Sequence, residues 1–229
     1  MTPSSPNIPL ESILSERLTK GLVALNIDLS ANQQKRILQY VSLLNKWNKV
    51  YNLTAVREPE RMIGLHILDS LAVLPHLKET QTRTQRVLDV GTGGGLPGIA
   101  LAIARVDMHV TMLDSLQKKT TFVRQAIGEL SLTNAAVVCE RVEQFTPAEK
   151  FDVVISCAFA ELSDFVNGAK HLLADDGRMF AMKGVNPVDE IARLPDGFEF
   201  EKVIELNVPQ VEGKRHLVVI KTVRKESMK

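Results

Sequence analysis

The chain of 229 residues has few cysteines, few aromatic residues and no long apolar run. Its two cysteines, Cys139 and Cys157, are too few for a disulfide framework or a four-ligand zinc site, and both are expected to be buried thiols. No apolar run reaches the roughly 18 residues of a membrane helix, and the N-terminus lacks the basic-then-apolar order of a signal peptide. These absences exclude a disulfide scaffold and favour a globular cytoplasmic protein with no metal and no membrane anchor.

The net charge of +1 hides an uneven distribution along the chain. Residues 1–86 hold 11 Lys and Arg against 7 Asp and Glu, whereas residues 87–229 hold 17 against 20. A basic front end on a slightly acidic body is compatible with a polyanionic partner such as nucleic acid. A solvated helical surface would produce the same imbalance, so charge alone leaves both interpretations open.

The first third of the chain predicts helices. Apolar residues recur at helical spacing over residues 10–18, 37–44 and 62–71. Ser30 stands three residues before Gln33, which predicts a capping box at the start of the second helix. Residues 47–52 predict a polar, irregular stretch, and Pro59 fits the first position of the third helix.

From residue 86 onward, short apolar runs alternate with helical patterns. Strands are predicted at residues 86–90, 110–113, 135–139, 151–156 and 178–182, with helices at 97–105, 116–130 and 162–173. This alternation implies right-handed crossovers and a parallel sheet covered on both faces. Strands at 198–206 and 216–223, joined by a turn with Gly213, predict a terminal hairpin. We therefore predict a doubly wound, mostly parallel seven-stranded α/β sheet. A helical N-terminal extension (1–80) and a Rossmann-like domain (81–229) are expected to form one compact unit.

A glycine-rich turn, Gly91–Gly95, directly follows the first buried strand, and Pro97 opens the next helix. Such a turn lets the backbone approach a ligand closely and directs helix N–H groups at it. Asp114 ends the second strand about 20 residues further on, where a ribose-binding acid lies in this architecture. Capping of the following helix is the alternative role for Asp114.

Two classes of cofactor suit this pattern. Gly93, Gly95 and Gly98 match the dinucleotide fingerprint, which would make the chain a nucleotide-linked oxidoreductase. Asp89, however, lies in the strand just before the loop, where an acid would disfavour a pyrophosphate and favour a sulfonium cofactor with an α-amino group. The order of Asp89, the glycine loop and Asp114 resembles that of methyltransferases. We favour an S-adenosylmethionine-dependent methyltransferase and keep the oxidoreductase as the alternative.

The chain also resembles one family along most of its length. Its segments at residues 47–54, 66–71, 89–98, 113–115, 158–160, 182–184 and 215–221 look like the family's motifs in order and spacing. The family is the bacterial 16S ribosomal RNA guanine-N7 methyltransferases (RsmG). The two motifs at 66–71 and 89–98 are far more specific together than a glycine loop alone.

The resemblance implies a cofactor, a substrate and a set of binding residues. It implies that S-adenosyl-L-methionine is held by Gly91, Gly93, Gly95, Leu96, Asp114, Val142 and Glu143. From the residues alone, Glu143 would more often be a plain surface acid. The implied reaction methylates N7 of a guanine in the decoding-region loop of 16S rRNA. The expected partner is this RNA or the small ribosomal subunit, and the chain is expected to be a monomer.

Four further residues are candidates for positioning the substrate: His66, Asp69, Lys183 and Arg215. His66 and Asp69 are three apart and should share a helix face, so a histidine held by its neighbouring acid is an equal alternative. Lys183 ends the fifth predicted strand and should face the ligand crevice, with helix capping as its alternative role. Arg215 belongs to the last strand, where an exposed charge is the default. No residue is singled out as a catalytic acid or base.

Two positions depart from the family pattern, which usually has arginine where this chain has Leu65 and Cys157. The arginine at the second position is expected beside the cofactor, so Cys157 leaves out the charge and donors of a guanidinium. A third hypothesis is therefore an RNA-binding protein that holds the cofactor without transferring a methyl group. The predicted fold does not depend on either position.

Overall fold

A computed structural model describes residues 9–77, 84–157, 159, 161–185 and 187–223. Within these ranges the strands are β1 (Gln85–Val90), β2 (Met108–Asp114), β3 (Ala135–Cys139), β4 (Phe151–Ser156), β5 (Leu173–Lys183), β6 (Phe198–Leu206) and β7 (Arg215–Thr222). The α-helices are α1 (Leu10–Leu25), α2 (Ala31–Tyr51), α3 (Pro59–Met62), α4 (Asp69–Leu71), α5 (Gly98–Ala104), α6 (Gln117–Glu129), α7 (Leu162–Ala169) and α8 (Val188–Ile191). A π-helical turn (Ile63–Leu68) joins α3 to α4, and short 3-10 turns lie at Leu74–His76 and Lys170–Leu172.

The strands form one seven-stranded sheet in the order β3-β2-β1-β4-β5-β7-β6. Strands β1 to β5 are parallel, and β7 is antiparallel to both β5 and β6. The predicted doubly wound sheet and its terminal hairpin are therefore confirmed. The strand order reverses between β1 and β4, and in open α/β sheets a ligand crevice lies at the carboxyl ends of the strands at such a point.

The central strands β1, β2 and β4 are buried on both faces, which explains why they are largely apolar. Alternate residues of β1 belong to two different apolar clusters: Val87 packs in a cluster with Ile37 of α2, and Leu88 in a cluster with Phe165 of α7. The first cluster also contains Leu18 of α1, so the helices before β1 share a core with the sheet. In the part of the chain described, no helix is long and apolar enough to cross a membrane.

The N-terminal helices were predicted correctly at their starts but not at one end. The capping box forms, since Ser30 Oγ accepts from Gln33 N–H and Gln33 Oε1 accepts from Ser30 N–H, and Pro59 occupies the first turn of α3. The irregular stretch predicted at 47–52 was wrong, because α2 continues to Tyr51. The rings of Trp47 and Tyr51, one helical turn apart, stack with centroids 5.1 Å apart and support this last turn.

Candidate cofactor and substrate clefts

The loop after β1 has one open side and one packed side. Gly91, Gly93 and Gly95 have φ of 71°, 59° and 91°, a conformation that L side chains rarely adopt. A Cβ added to Gly93 would meet nothing closer than the Gly91 carbonyl oxygen at 3.9 Å, so this position borders open space. A Cβ added to Gly95 would lie 2.7 Å from Ile99 Cγ1. Gly95 therefore allows close packing of the loop on α5, whereas Gly93 leaves room beside it.

Asp114 holds this loop from the end of β2. Its Oδ2 accepts from Gly93 N–H at 3.0 Å, and its Oδ1 accepts from Leu116 N–H, just before α6, at 3.0 Å. Lys119 Nζ lies 3.4 Å from the same carboxylate. The predicted ribose acid thus supports both the loop and the start of the next helix.

A first cleft of about 270 Å³ opens at the carboxyl ends of β1 to β3. Four of the seven predicted cofactor residues line it: Gly91, Asp114, Val142 and Glu143. Gly93 adjoins it through its hydrogen bond to Asp114, but Gly95 and Leu96 do not line it; they pack against apolar neighbours beneath the loop.

Several residues lining this cleft were missed from sequence: Ser115, Leu116, Lys119, Glu140, Arg141 and Phe159. A local signal existed for most of them, because residues that directly follow parallel strands meet at one edge of the sheet. Tyr40, which supports the loop but does not line the cleft, carried no such signal. It lies on α2, far away in sequence, and its buried hydroxyl donates to the Gly94 carbonyl oxygen at 2.6 Å.

Asp89 is a fully buried carboxylate beneath the loop. Its Oδ2 accepts from Thr92 Oγ1 at 2.6 Å and from Gly98 N–H at 2.9 Å, whereas Oδ1 has no hydrogen-bond partner among the described residues. Burial raises the pKa of Asp89 to about 7, against the lowering effect of the two hydrogen bonds. A positively charged ligand beside the loop would favour its ionised form, so the site fits a cationic cofactor.

A second cleft of about 290 Å³ lies at the ends of β4, β5 and β7. It contains three of the four predicted substrate-positioning residues. Arg215 Nε lies 3.3 Å from Asp69 Oδ1, and Lys183 Nζ lies 2.8 Å from Glu190 Oε2 on α8. Lys183 faces this crevice as predicted, and Arg215 is paired with Asp69 instead of being a plain exposed charge.

His66 lies apart from this cleft. Its Nε2 is 2.8 Å from Thr54 Oγ1 and its Nδ1 is 3.1 Å from the Leu65 carbonyl oxygen, while burial lowers its pKa. The predicted common face with Asp69 was wrong, because the chain forms a π-helical turn here and Asp69 N–H bonds to the Gly64 carbonyl five residues earlier. The alternative, in which Asp69 holds His66, was wrong as well, since Asp69 pairs with Arg215.

The two family departures lie in different clefts. Cys157 lines the second cleft with its Sγ 3.0 Å from Met182 Sδ. Leu65 lies in a third cleft, of about 460 Å³, together with Arg17, Arg61, Gln210 and Glu212. The expectation of two buried thiols was wrong, because Cys139 is half-buried and Cys157 is exposed. Across the ranges described, no group of three or more His, Cys, Asp or Glu could hold a metal ion.

The strand order and the acid–glycine loop–acid arrangement define a Rossmann-like methyltransferase architecture. Solved structures share the fold. TrmN from Thermus thermophilus is 19% identical with a TM-score of 0.53, and the match covers 77% of this chain and 53% of that one. The N-methyltransferase NodS from Bradyrhizobium japonicum WM9, in complex with S-adenosyl-L-homocysteine, is 11% identical with a TM-score of 0.52, covering 79% of this chain and all of that one.

Sequence comparisons identify the family. The model of the GidB family, rRNA small subunit methyltransferase G, matches residues 33–218. Ribosomal RNA small subunit methyltransferase G of Laribacter hongkongensis is 54% identical over 205 residues, which cover 90% of this chain and 97% of that protein. The protein of the same name from Enterobacter sp. (strain 638) is 52% identical with the same coverage. The chain belongs to the rRNA small subunit methyltransferase G family, which confirms the resemblance.

Proposed function

We propose that this chain transfers a methyl group from S-adenosyl-L-methionine to N7 of a guanine in the decoding-region loop of 16S rRNA. The observation that carries the cofactor assignment is the buried Asp89 carboxylate, with one unpartnered oxygen, beneath a loop that is open at Gly93. The same carboxylate disfavours a pyrophosphate and hence the oxidoreductase alternative. The names of the relatives support small-subunit rRNA as the substrate.

The first cleft would hold the cofactor. Asp114 would accept hydrogen bonds from a ribose, a role supported by its position in the lining of the cleft at the end of β2. Val142 and Glu143 would bind the adenine edge, and the backbone of Gly91 and Gly93 would contact the methionine part. When bound, S-adenosyl-L-methionine supplies an electrophilic methyl group on a sulfonium sulfur.

The second cleft would hold the target base. This second cleft adjoins the first. Cys157, which lines the second cleft, directly follows β4, and β4 pairs with β1, whose end lines the first cleft. Guanine N7 carries an in-plane lone pair and no proton at neutral pH, so no general base is required. The residues of the cleft would therefore act by holding and orienting the base, and in well-oriented reactions such positioning can contribute up to roughly 7–11 kcal/mol.

Methyl transfer from labelled cofactor tests this proposal. The acceptors are deproteinised small-subunit RNA and intact small subunits that lack the modification, and the modified base is identified after digestion. We expect 7-methylguanine in at least one of the two acceptors. Cofactor binding without methylation of either acceptor would favour the non-catalytic RNA-binding protein, and tight binding of a nicotinamide dinucleotide instead would favour the oxidoreductase.

The exposed basic residues of the N-terminal region are expected to contact RNA phosphates. Replacing Lys46, Lys49, Arg57 and Arg61 with alanine should weaken RNA binding and flatten its salt dependence, since each lost phosphate contact lowers the logarithmic slope by about 0.7–0.9. Cofactor affinity should hardly change, because none of the four lines the first cleft. Filter binding at several salt concentrations measures the slope.

A variant with Arg124 and Lys150 replaced by alanine is the matched control. Both side chains are exposed and lie in the Rossmann-like region, so the overall charge falls without a change in the N-terminal surface. If the control lowers the slope of the salt dependence by as much per removed charge as the N-terminal variant does, the effect comes from net charge. In that case the N-terminal basic residues are exposed to solvent without contacting RNA.

A further inference from the structure

We propose that Asp69 selects guanine by accepting hydrogen bonds from two adjacent donors of the base, N1–H and the exocyclic N2–H. This inference rests on the proposed function, and it assigns the base discrimination of the second cleft to one carboxylate.

Asp69 has unused capacity to accept hydrogen bonds. Its side chain is 19% exposed and lines the second cleft. In the described part of the chain, its side chain has one polar contact, the ion pair between Oδ1 and Arg215 Nε at 3.3 Å. An ionised carboxylate offers about four lone-pair sites. Its Oδ1 is buried beside Arg215, so the lone pairs of Oδ2 are the ones left for a ligand.

The cationic neighbours are already engaged. Lys183 Nζ lies 2.8 Å from Glu190 Oε2 and donates to the Phe159 carbonyl oxygen at 3.4 Å. Arg215 contacts Asp69 and also donates to the Lys214 carbonyl oxygen at 3.1 Å. Asp69 is thus the acidic side chain that the cleft offers to an incoming base.

A second observation points to a polar ligand in the same cleft. His216 is 4% exposed, lines the cleft, and its buried Nδ1 has no hydrogen-bond partner within the described residues. Buried polar atoms without partners are rare in folded proteins and call for an explanation. Met182 and Leu206 line the same cleft and supply apolar contacts for a flat ring. The combination of polar atoms and apolar walls suits a nucleobase.

The donor pattern distinguishes guanine from the other bases. Guanine presents two adjacent donors, N1–H and N2–H, and the two lone pairs of one carboxylate oxygen, Oδ2 of Asp69, can accept from both. Adenine would place the lone pair of its N1 against the negative charge, cytosine would do so with N3, and uracil flanks its one N–H with carbonyl oxygens. A site built to accept particular donors rejects bases that lack them, because its buried groups are then left unpaired.

The charge of Asp69 supports this role. Burial raises the pKa of Asp69 to about 6, while the guanidinium of Arg215 opposes the rise. The charged and titratable groups that face it across the cleft are Arg215, Lys183, His216 and Cys157. Above pH 7 the carboxylate is therefore mainly ionised and can act as an acceptor only.

The test compares guanosine with inosine at one position. The guanine that the wild-type protein methylates is first mapped, and this nucleotide alone is then replaced with inosine by ligation of RNA fragments. Inosine keeps N7, O6 and N1–H but lacks the N2 amino group. We expect the wild type to prefer guanosine about tenfold or more in kcat/KM, as for one hydrogen bond to a charged group. The preference should fall to about twofold or less in Asp69→Asn, because its amide oxygen would remain beside Arg215 and its amide nitrogen, a donor, would face the base.

Asp107→Asn is the control variant. Its carboxylate pairs with Arg105 just before β2, at the opposite edge of the sheet, and it should keep the preference for guanosine. Cofactor affinity, measured by calorimetry, should be the same in all three proteins. The affinity of each protein for the guanosine and inosine RNAs, measured without cofactor, gives a second readout that does not depend on methyl transfer.

Equal methylation of guanosine and inosine by the wild type would overturn the proposal, as would an undiminished preference in Asp69→Asn. The first comparison uses no variant, so it can overturn the proposal even if Asp69→Asn fails to fold. A wild-type protein that methylates no base would contradict the proposed function at the mapping step, before the role of Asp69 is tested.

Discussion

Gly93→Val is expected to abolish binding of S-adenosyl-L-methionine while leaving the chain folded. Gly93 has a φ of 59° and borders open space, so valine would place three carbon atoms where the ligand must approach the loop. The left-handed conformation costs about 1–2 kcal/mol for a residue with a Cβ, which lowers the free energy of unfolding without preventing folding. The loss of affinity should exceed about 100-fold, since hydrogen bonds to the loop backbone are lost as well.

Gly197→Val is the matched control for Gly93→Val. Gly197 has a φ of 85° with nothing within 4 Å of an added Cβ, so it carries similar backbone strain. Gly197 lies just before the start of β6. The end of β6, at Leu206, pairs with the start of β7, which in turn pairs with the carboxyl end of β5. The start of β6 therefore lies at the edge of the sheet opposite the clefts. Calorimetry should show normal cofactor binding by the control. If a folded Gly93→Val protein binds the cofactor normally, the loop is not the cofactor site.

The strands of the sheet could be predicted because the sequence patterns that indicate them are local. Strands buried on both faces are short, continuous apolar runs, and the glycine loop needs its φ values whatever lies around it. Asp114 is the last residue of β2, and residues 142–143 lie shortly after the end of β3, so the topology brings them to one edge. Strand ends and strand order were enough to predict the glycine loop and Asp114 as part of a ligand site, whereas Val142 and Glu143 were identified only through the resemblance to the family.

The features that were missed depend on contacts distant in sequence. Helix α2 continues past Trp47 because its last turn is held from outside: Trp47 packs on Phe122, and buried Asn48 bonds to Thr54 N–H and the Val56 carbonyl oxygen. The sequence patterns of this region do not indicate the π-helical turn before α4. Because the prediction assumed α-helical spacing, it assigned His66 and Asp69 to the wrong relative directions.

Asp89 should release a proton when the cofactor binds near pH 7. Without ligand its pKa is about 7, so about half of the molecules carry the proton at this pH. A cationic ligand favours the carboxylate, so binding near pH 7 should release about half a proton from Asp89, and the affinity should rise between pH 6 and pH 7. The folded-state pKa lies above the ordinary value of 3.8, so the ligand-free chain should lose stability as pH rises from 4 to 7 and level off above that.

Calorimetric titrations in two buffers of different ionisation enthalpy measure the proton release, and Asp89→Asn provides the comparison. The α-amino group of the cofactor, with an ordinary pKa of about 7.7–8.0, also titrates in this range, but its contribution is common to both proteins. The asparagine variant keeps an acceptor for Thr92 Oγ1 and Gly98 N–H, while its lost charge should weaken binding by about tenfold or more. Equal proton release by the two proteins would contradict the prediction, because the carboxylate of Asp89 would then not respond to the charge of the ligand.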